Sequence, residues 1–154
     1  MTQSKKEIKI LQSIQVELKA PKGQTNKFGN YRYRSAEDIL EAVKPLLNKY
    51  GTYLTISDDI VEVGGRVYVK ATATLFESHQ GEIASVNAFA REAEVKKGMD
   101  DAQITGSASS YARKYALNGL FAIDDTKDPD ATNDHGKGKP VARKPRITEE
   151  TFDL

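Results

Sequence analysis

Residues 52–77 read TYLTISDDIVEV, then GG, then RVYVKATATLFE, so that two runs of alternating side chains flank a pair of glycines. A period of two places alternate side chains on opposite faces of a β-strand. Gly64-Gly65 suits the tight turn that joins antiparallel strands. The stretch therefore predicts a β-hairpin with one face toward the core. The residues on that face of the second strand are Val67, Val69, Ala71, Ala73 and Leu75.

Further segments on both sides of this hairpin also show a clear period. Residues 82–91, EIASVNAFAR, continue the alternation after the turn SHQG and predict the third strand of an antiparallel meander. Apolar residues at helical spacing predict amphipathic helices over residues 4–20 and from an N-cap at Ser35 to about Tyr50. Pro45 lies inside the second helix and is expected to kink or split it.

A last helix is predicted to begin at Asp100 or Asp101 and to run to about residue 123. Between the first two helices, residues 21–34 contain Pro, two Gly and two Asn, which is typical of a loop. The order α-α-β-β-β-α predicts an α+β fold, in which a three-stranded antiparallel β-meander packs against a long C-terminal helix. We expect one folded domain over residues 1–123.

Residues 124–154 differ in composition from the rest of the chain. Residues 124–134 contain five Asp and one Lys, whereas residues 137–146 contain five Lys or Arg and no acid. With almost nothing apolar to bury, this tail is expected to be disordered. Its basic run is compatible with a solvated linker or with a cationic arm for DNA. The end, ITEETFDL, sets acids around Phe152 and Leu154, which is the pattern of a docking peptide for a partner protein.

Composition narrows the classes of function. The chain has 154 residues and a formal net charge of only +1, so its overall charge does not indicate a nucleic-acid-binding protein. It contains no Cys, which excludes disulfides and thiolate chemistry. The N-terminus shows no apolar leader, and no run of about 18 apolar residues predicts a membrane span. These features predict a cytoplasmic protein that does not interact with membranes.

Residues 106–121, GSASSYARKYALNGLF, place two kinds of residue on the last predicted helix. Tyr111 and Tyr115 share with Ala112 and Ala116 the face expected to cover the sheet. Hydroxyl and guanidinium groups on the other face are suited to phosphate, and an apolar end is suited to another subunit. Tight packing and a solvated face explain the same pattern. The opposite face is expected to hold Ser107, Ser110, Arg113 and Lys114 and to end in Leu117 and Phe121.

Residues 27–34, KFGNYRYR, alternate cations with aromatic residues and contain no acid. Cations contact the phosphates of a nucleic acid, and aromatic rings stack on bases of any sequence. Tyr31 and Tyr33 fit base stacking and packing on the core equally well, whereas Phe28 is expected to dock on the core. The candidate DNA contacts in this segment are Lys27, Tyr31, Arg32, Tyr33 and Arg34.

Other cations would extend such a surface. Arg66 and Lys70 flank Tyr68 on the polar face of the second strand, and further cations follow at Arg91, Lys96 and Lys97. Each of them taken alone is more typical of a solvated charge.

The segments NYRYRSAEDILEAVKPLL and DDAQITGSASSYARKYALNGLFAI, separated by the predicted meander, resemble the Erf-type single-strand annealing recombinases of bacteriophages and prophages. The resemblance covers residues 8–125 or so, and its most specific part is the last helix. Residues from 130 onward show no motif that resembles this family.

The resemblance implies a function in DNA recombination and repair. It implies that the protein binds single-stranded DNA without sequence preference and anneals complementary strands without ATP, as a homo-oligomeric ring or filament. It also implies a fold similar to that of eukaryotic radiation-repair annealing proteins, with DNA in a basic groove. The matched positions are the YRY segment, Arg113 and Lys114. We expect no cofactor, no metal and no catalytic residue. The expected partners in a bacterial host cell are single-stranded DNA, other copies of the chain and a single-strand binding protein at the C-terminal end.

Other classes of function have weaker support. His79 and His135 lie in a predicted turn and in the tail, and no cluster has metal-ligand spacing. No glycine-rich phosphate-binding pattern is present. Asp pairs at 58–59, 100–101 and 124–125 are compatible with a Mg²⁺-dependent nuclease. The remaining alternatives are a monomeric single-strand binding module that does not anneal and an inert oligomeric scaffold.

Overall fold

The computed structural model describes residues 5–123, so the predictions for residues 124–154, including Phe152 and Leu154, lie outside the described residues. Three helices and five strands follow one another along these residues. They are α1 (Lys5–Glu17), β1 (Gln24–Asn26), β2 (Tyr31–Tyr33), α2 (Ala36–Lys49), β3 (Thr52–Val63), β4 (Arg66–Glu77), β5 (Gly81–Arg91) and α3 (Asp101–Phe121).

The predicted three-stranded meander is confirmed, with the order β3-β4-β5 and antiparallel pairing throughout. Gly64 and Gly65 both have positive φ, as the tight turn between β3 and β4 requires. The pairing runs from Thr52 opposite Glu77 to Val63 opposite Arg66. On one face of β4, Val69, Ala71, Ala73 and Leu75 are buried as predicted, whereas Val67, predicted to share their burial, is 36% exposed next to the turn. We call this the inner face of the sheet, and the opposite face the outer face.

The segment between α1 and α2 is a small β-hairpin rather than the predicted loop. β1 and β2 pair in antiparallel fashion, with Gln24 opposite Tyr33 and Asn26 opposite Tyr31. Of the glycine and asparagine residues that argued against regular structure, Gly29 and Asn30 lie in the turn of this hairpin, and Asn26 ends its first strand. We call residues 24–33 the arm hairpin.

The helix α2 begins with the capping box that its sequence predicts. The Ser35 side chain accepts a hydrogen bond from the Asp38 backbone, and Asp38 accepts one from the Ser35 backbone in return. Pro45 was expected to kink or split this helix; it does not split it, because α2 continues through Pro45 to Lys49.

The helix α3 packs on the inner face of the sheet, but not with all the residues predicted. Ile104, Ala108, Ala112 and Ala116 are buried as expected. Tyr111 and Tyr115 are about half exposed, so their predicted packing on the sheet is wrong. Leu117 and Phe121, predicted to face outward as an oligomer contact, are 0% and 1% exposed. They are part of the subunit's own core and present no surface to a neighbouring subunit.

The other two helices explain the burial of this end of α3. Both α1 and α2 contact α3, and the Gln15 side-chain amide of α1 donates a 2.9 Å hydrogen bond to the Leu120 carbonyl. Ile14, Ile39 and Val43 join Leu117 and Phe121 in one hydrophobic cluster. The last turns of α3 are therefore covered by helices as well as by the sheet. No helix within residues 5–123 has both the length and the apolar character needed to cross a membrane.

Candidate nucleic-acid interface

The turn of the arm hairpin is held by one asparagine. The Asn26 side-chain oxygen accepts hydrogen bonds from the backbone N–H groups of Phe28 at 2.9 Å and Gly29 at 3.2 Å. Its amide nitrogen donates to the Tyr31 hydroxyl at 2.9 Å. The Tyr31 ring lies so close to Gly29 that a Cβ at this position would overlap it. The backbone at the tip is thus fixed by its own side chains.

The base of the arm hairpin is anchored to the start of α2. The Gln24 amide nitrogen donates to the Asp38 carboxylate at 2.8 Å and to the Ser35 hydroxyl at 3.2 Å. The Tyr33 hydroxyl donates to the Gln24 side-chain oxygen at 3.1 Å. The Ser35 backbone N–H and then the Gln24 amide lower the pKa of Asp38 below its ordinary value of 3.8, because both stabilise the carboxylate.

Arg34 belongs to this anchor and not to the surface. It is only 7% exposed, and its Nε donates a 2.6 Å hydrogen bond to the Ala20 carbonyl. The prediction that Arg34 contacts DNA is therefore wrong. The hydrogen bond from the buried Arg34 guanidinium to a backbone carbonyl stabilises the segment that leads from the arm hairpin into α2.

The tip of the arm hairpin combines exposed cations with exposed aromatic rings. Lys27 and Arg32 are exposed, and the Tyr31 ring is 49% exposed. Phe28 projects completely into solvent, with a relative exposure of 104%. The prediction that Phe28 docks on the core is wrong. Tyr33 is half-buried and packs edge-on against Tyr31, with ring centroids 6.2 Å apart.

A second group of candidate residues meets on the outer face of the sheet. Arg91 of β5 lies opposite Tyr68 of β4 in the register, and Arg66 and Lys70 lie two residues to either side of Tyr68. The Lys70 ammonium is 6.0 Å from the centroid of the Phe89 ring. Arg66, Tyr68 and Lys70 share one face of β4 as predicted, and the register places Arg91 and Phe89 of β5 on the same face.

The third group lies on the side of α3 that faces away from the sheet. Ser110 is exposed, and Ser107 is partly exposed. The Lys114 ammonium lies 5.2 Å from the Tyr111 ring centroid and 5.4 Å from the Tyr115 ring centroid. Cation–π contacts of this kind hold a lysine on a surface without neutralising its charge.

Arg113 does not share this surface with Lys114. Its Nε lies 3.1 Å from Asp58 Oδ1 and its Nη2 lies 3.1 Å from Asp58 Oδ2, so the pair is bidentate. The Ser109 hydroxyl donates to the same carboxylate. Partial burial raises the pKa of Asp58, but hydrogen bonds from Arg113 and Ser109 outweigh it and bring the pKa below 3.8.

The sequence-predicted residues therefore occupy separate surfaces instead of one continuous track. The outer face of the sheet and the outward side of α3 point in opposite directions, because α3 covers the inner face. The arm hairpin is tied to α2, which packs against α3 and β3. Lys96 and Lys97 are exposed in the connection between β5 and α3. Within residues 5–123, no three His, Asp or Glu side chains form a group that would hold a metal ion.

The residue that sequence reasoning missed is Phe28. The available signal was turn chemistry, since Asn26 precedes a four-residue loop that contains Gly29 and Asn30. Asn30 has a φ of 48°, a conformation that Asn tolerates better than most residues. Reading these residues as the turn of a hairpin would have placed Phe28 at an exposed tip.

Comparison with known proteins identifies the family. A family model described as the ERF superfamily matches residues 8–151, so the chain belongs to the ERF superfamily. The match confirms the resemblance and extends it into the tail beyond residue 125. The Essential recombination function protein of Salmonella phage P22 is 60% identical over 132 residues, or 86% of this chain. That region spans 62% of the phage protein, so the chain covers less than two thirds of this relative.

No solved structure matched the chain. The implied likeness to eukaryotic radiation-repair annealing proteins therefore stays a prediction.

Proposed function

We propose that this member of the ERF superfamily acts in recombination by binding single-stranded DNA without sequence preference and annealing complementary strands without ATP. The observation that carries the proposal is the arm hairpin, a fixed element whose exposed tip combines two cations with two aromatic rings. The recombination function in the name of the phage P22 relative supports the same conclusion.

The charges around the arm hairpin favour a polyanion. Residues 18–36 contain five Lys or Arg and no acid. Lys27 and Arg32 contact the phosphates, and the Tyr31 ring contacts a base. Neither kind of contact reads a particular base, so binding is independent of sequence.

Annealing requires more than one copy of this tip. Base pairing between the strands supplies the free energy, so the protein only has to neutralise phosphates, hold a strand extended and leave base edges free. A single tip binds weakly, whereas many tips along an oligomeric ring or filament bind one strand together. The assembly is therefore part of the proposal, and its contact surface is not Leu117 and Phe121.

The proposal includes a location and partners. The protein acts in the cytoplasm of a bacterial host cell on single-stranded DNA, and it is not an enzyme. Its C-terminal end, with Phe152 and Leu154, docks on a single-strand binding protein. Since no bond is made or broken, the reaction needs neither a metal nor a nucleotide.

The test is annealing of two labelled complementary oligonucleotides by the full chain in EDTA, with no nucleotide present. We expect annealing well above the spontaneous rate, and particles in light scattering that are larger than one subunit. The log of the binding constant should fall with log salt concentration by about 0.7 for each neutralised phosphate. Tight binding by a monomer without annealing would favour a simple single-strand binding module. Absence of binding at low salt would overturn the proposal.

A further inference from the structure

We propose that Phe28 is a base-stacking residue, a fixed aromatic tip that lies against one base of the bound strand. This inference rests on the proposed function and deepens it by assigning a residue to the base. The Phe28 ring is fully exposed at 104% of its reference surface. Such exposure is costly for a large apolar side chain, because water is in contact with the whole ring.

The tip is built to hold Phe28 away from the subunit. Two backbone N–H groups, at Phe28 and Gly29, are bound by the Asn26 side chain. Gly29 leaves room for the Tyr31 ring, and Tyr31 is held in turn by the Asn26 amide. A backbone fixed in advance loses little conformational freedom on binding, so the contact area of Phe28 contributes more fully to affinity.

The surroundings of Phe28 indicate a nucleic-acid base rather than an apolar pocket on a second copy of the chain. Lys27 is its neighbour, Arg32 follows four residues on, and both are exposed. No acid occurs in residues 18–36. An aromatic ring flanked by cations suits a ligand that alternates flat bases with phosphates. An apolar pocket would use the ring but would offer no phosphate to the two cations.

The experiment compares three substitutions in the full chain, Phe28→Leu, Phe28→Tyr and Phe28→Ala. Leu retains apolar volume but has no π face, whereas Tyr retains the ring. Each protein is titrated with fluorescein-labelled oligothymidylate and with an abasic oligomer of the same length at the same salt concentration. Particle size is measured in parallel by light scattering. Ile60→Ala, which alters another well-exposed apolar side chain on β3, is the control for general loss of exposed apolar surface.

We expect Phe28→Leu and Phe28→Ala to weaken binding to oligothymidylate by about fivefold or more. About fivefold is the lower end of the affinity loss expected when one base–aromatic stack is removed. Phe28→Tyr should bind like the unaltered protein, and all four proteins should bind the abasic oligomer alike. Equal binding of oligothymidylate by Phe28→Leu and the unaltered protein would overturn the inference. So would a change of particle size in Phe28→Leu, which would place Phe28 in a subunit contact. If the unaltered protein binds neither oligomer, the proposed function itself fails.

Discussion

Arg113 and Asp58 form a bidentate ion pair that joins α3 to the edge strand β3, with Nε–Oδ1 and Nη2–Oδ2 distances of 3.1 Å each. Arg113 is one of the positions that the family resemblance implied for DNA binding. Its guanidinium already holds a carboxylate, in the two-point geometry that it would offer to a phosphate. If the proposed function is right, a phosphate of DNA bound at Arg113 must compete with Asp58.

Replacing Asp58 by Asn tests this competition. If Arg113 contacts DNA, Asp58→Asn releases its guanidinium, and we expect single-stranded DNA to bind about fivefold more tightly. Glu62→Gln is the control, since it removes the same charge from an exposed position of β3 that lies opposite Val67 and not opposite a candidate DNA-binding cation. Affinities are measured by fluorescence anisotropy at constant salt concentration. Equal effects of the two substitutions would mean that Arg113 is a structural residue only.

The same ion pair predicts a dependence of stability on pH. The pKa of Asp58 in the folded chain lies below its ordinary value of 3.8. Its stabilising contribution is therefore complete above pH 3.8 and is lost as the pH falls through the lower folded-state pKa. We expect the melting temperature of Asp58→Asn to lie below that of the unaltered protein at neutral pH, and the two to converge in acid. A gap that stayed constant down to about pH 2 would contradict this assignment.

The meander was predictable because side chains alternate between the two faces of a strand as a consequence of backbone geometry alone. Val67, Val69, Ala71, Ala73 and Leu75 were assigned to one face, and all of them except Val67, which lies next to the turn, are buried. The faces of α3 were harder to predict, because a helix has no fixed inner side until its neighbours are known. α1 and α2 cover its last turns and bury Leu117 and Phe121.

The arm hairpin shows a different limit. Its strands have three residues each, too short for a period to be recognised, and its turn residues are the same ones that mark loops. The sequence indicated cations and aromatic residues suited to DNA. It did not indicate that Arg34 is inside and Phe28 outside, because that choice depends on where Gln24 and Arg34 attach to the rest of the chain.

Arg32 and Arg34, two residues apart, should therefore respond in opposite ways to substitution by Ala. Arg32 is exposed, so Arg32→Ala should leave the melting temperature unchanged and reduce the salt slope of DNA binding by about 0.7. Arg34 is buried on the Ala20 carbonyl, so Arg34→Ala should lower the free energy of unfolding by about 1–3 kcal/mol. Denaturant unfolding and DNA titration of both variants make the comparison. Arg34→Ala with unaltered stability and a reduced salt slope would return Arg34 to the DNA surface.

Gly106 and Gly119 form a second matched pair within α3. An ideal Cβ at Gly106 meets no atom within 4 Å, whereas one at Gly119 would lie 2.9 Å from the Cγ1 of Val86. Gly106→Ala should stabilise the fold by roughly 0.5–1 kcal/mol through helix propensity. Gly119→Ala should destabilise it by about 1–3 kcal/mol, because the stiff Val86 side chain on β5 has to move. Denaturant midpoints show whether each substitution raises or lowers the free energy of unfolding. Stabilisation by both substitutions would contradict the packing of α3 on β5.

Leu117 tests whether the end of α3 belongs to the core of one chain or to the proposed contact between copies. Its side chain is fully buried within one subunit, so Leu117→Ala should lower the free energy of unfolding by about 2–5 kcal/mol. Tyr111→Ala, at a position 48% exposed on the same helix, should cost much less. Unfolding is followed by circular dichroism, and the subunit number of the folded protein by light scattering. The burial of Leu117 argues against a contact between subunits. Leu117→Ala with unaltered stability but smaller particles would contradict this and place Leu117 in such a contact.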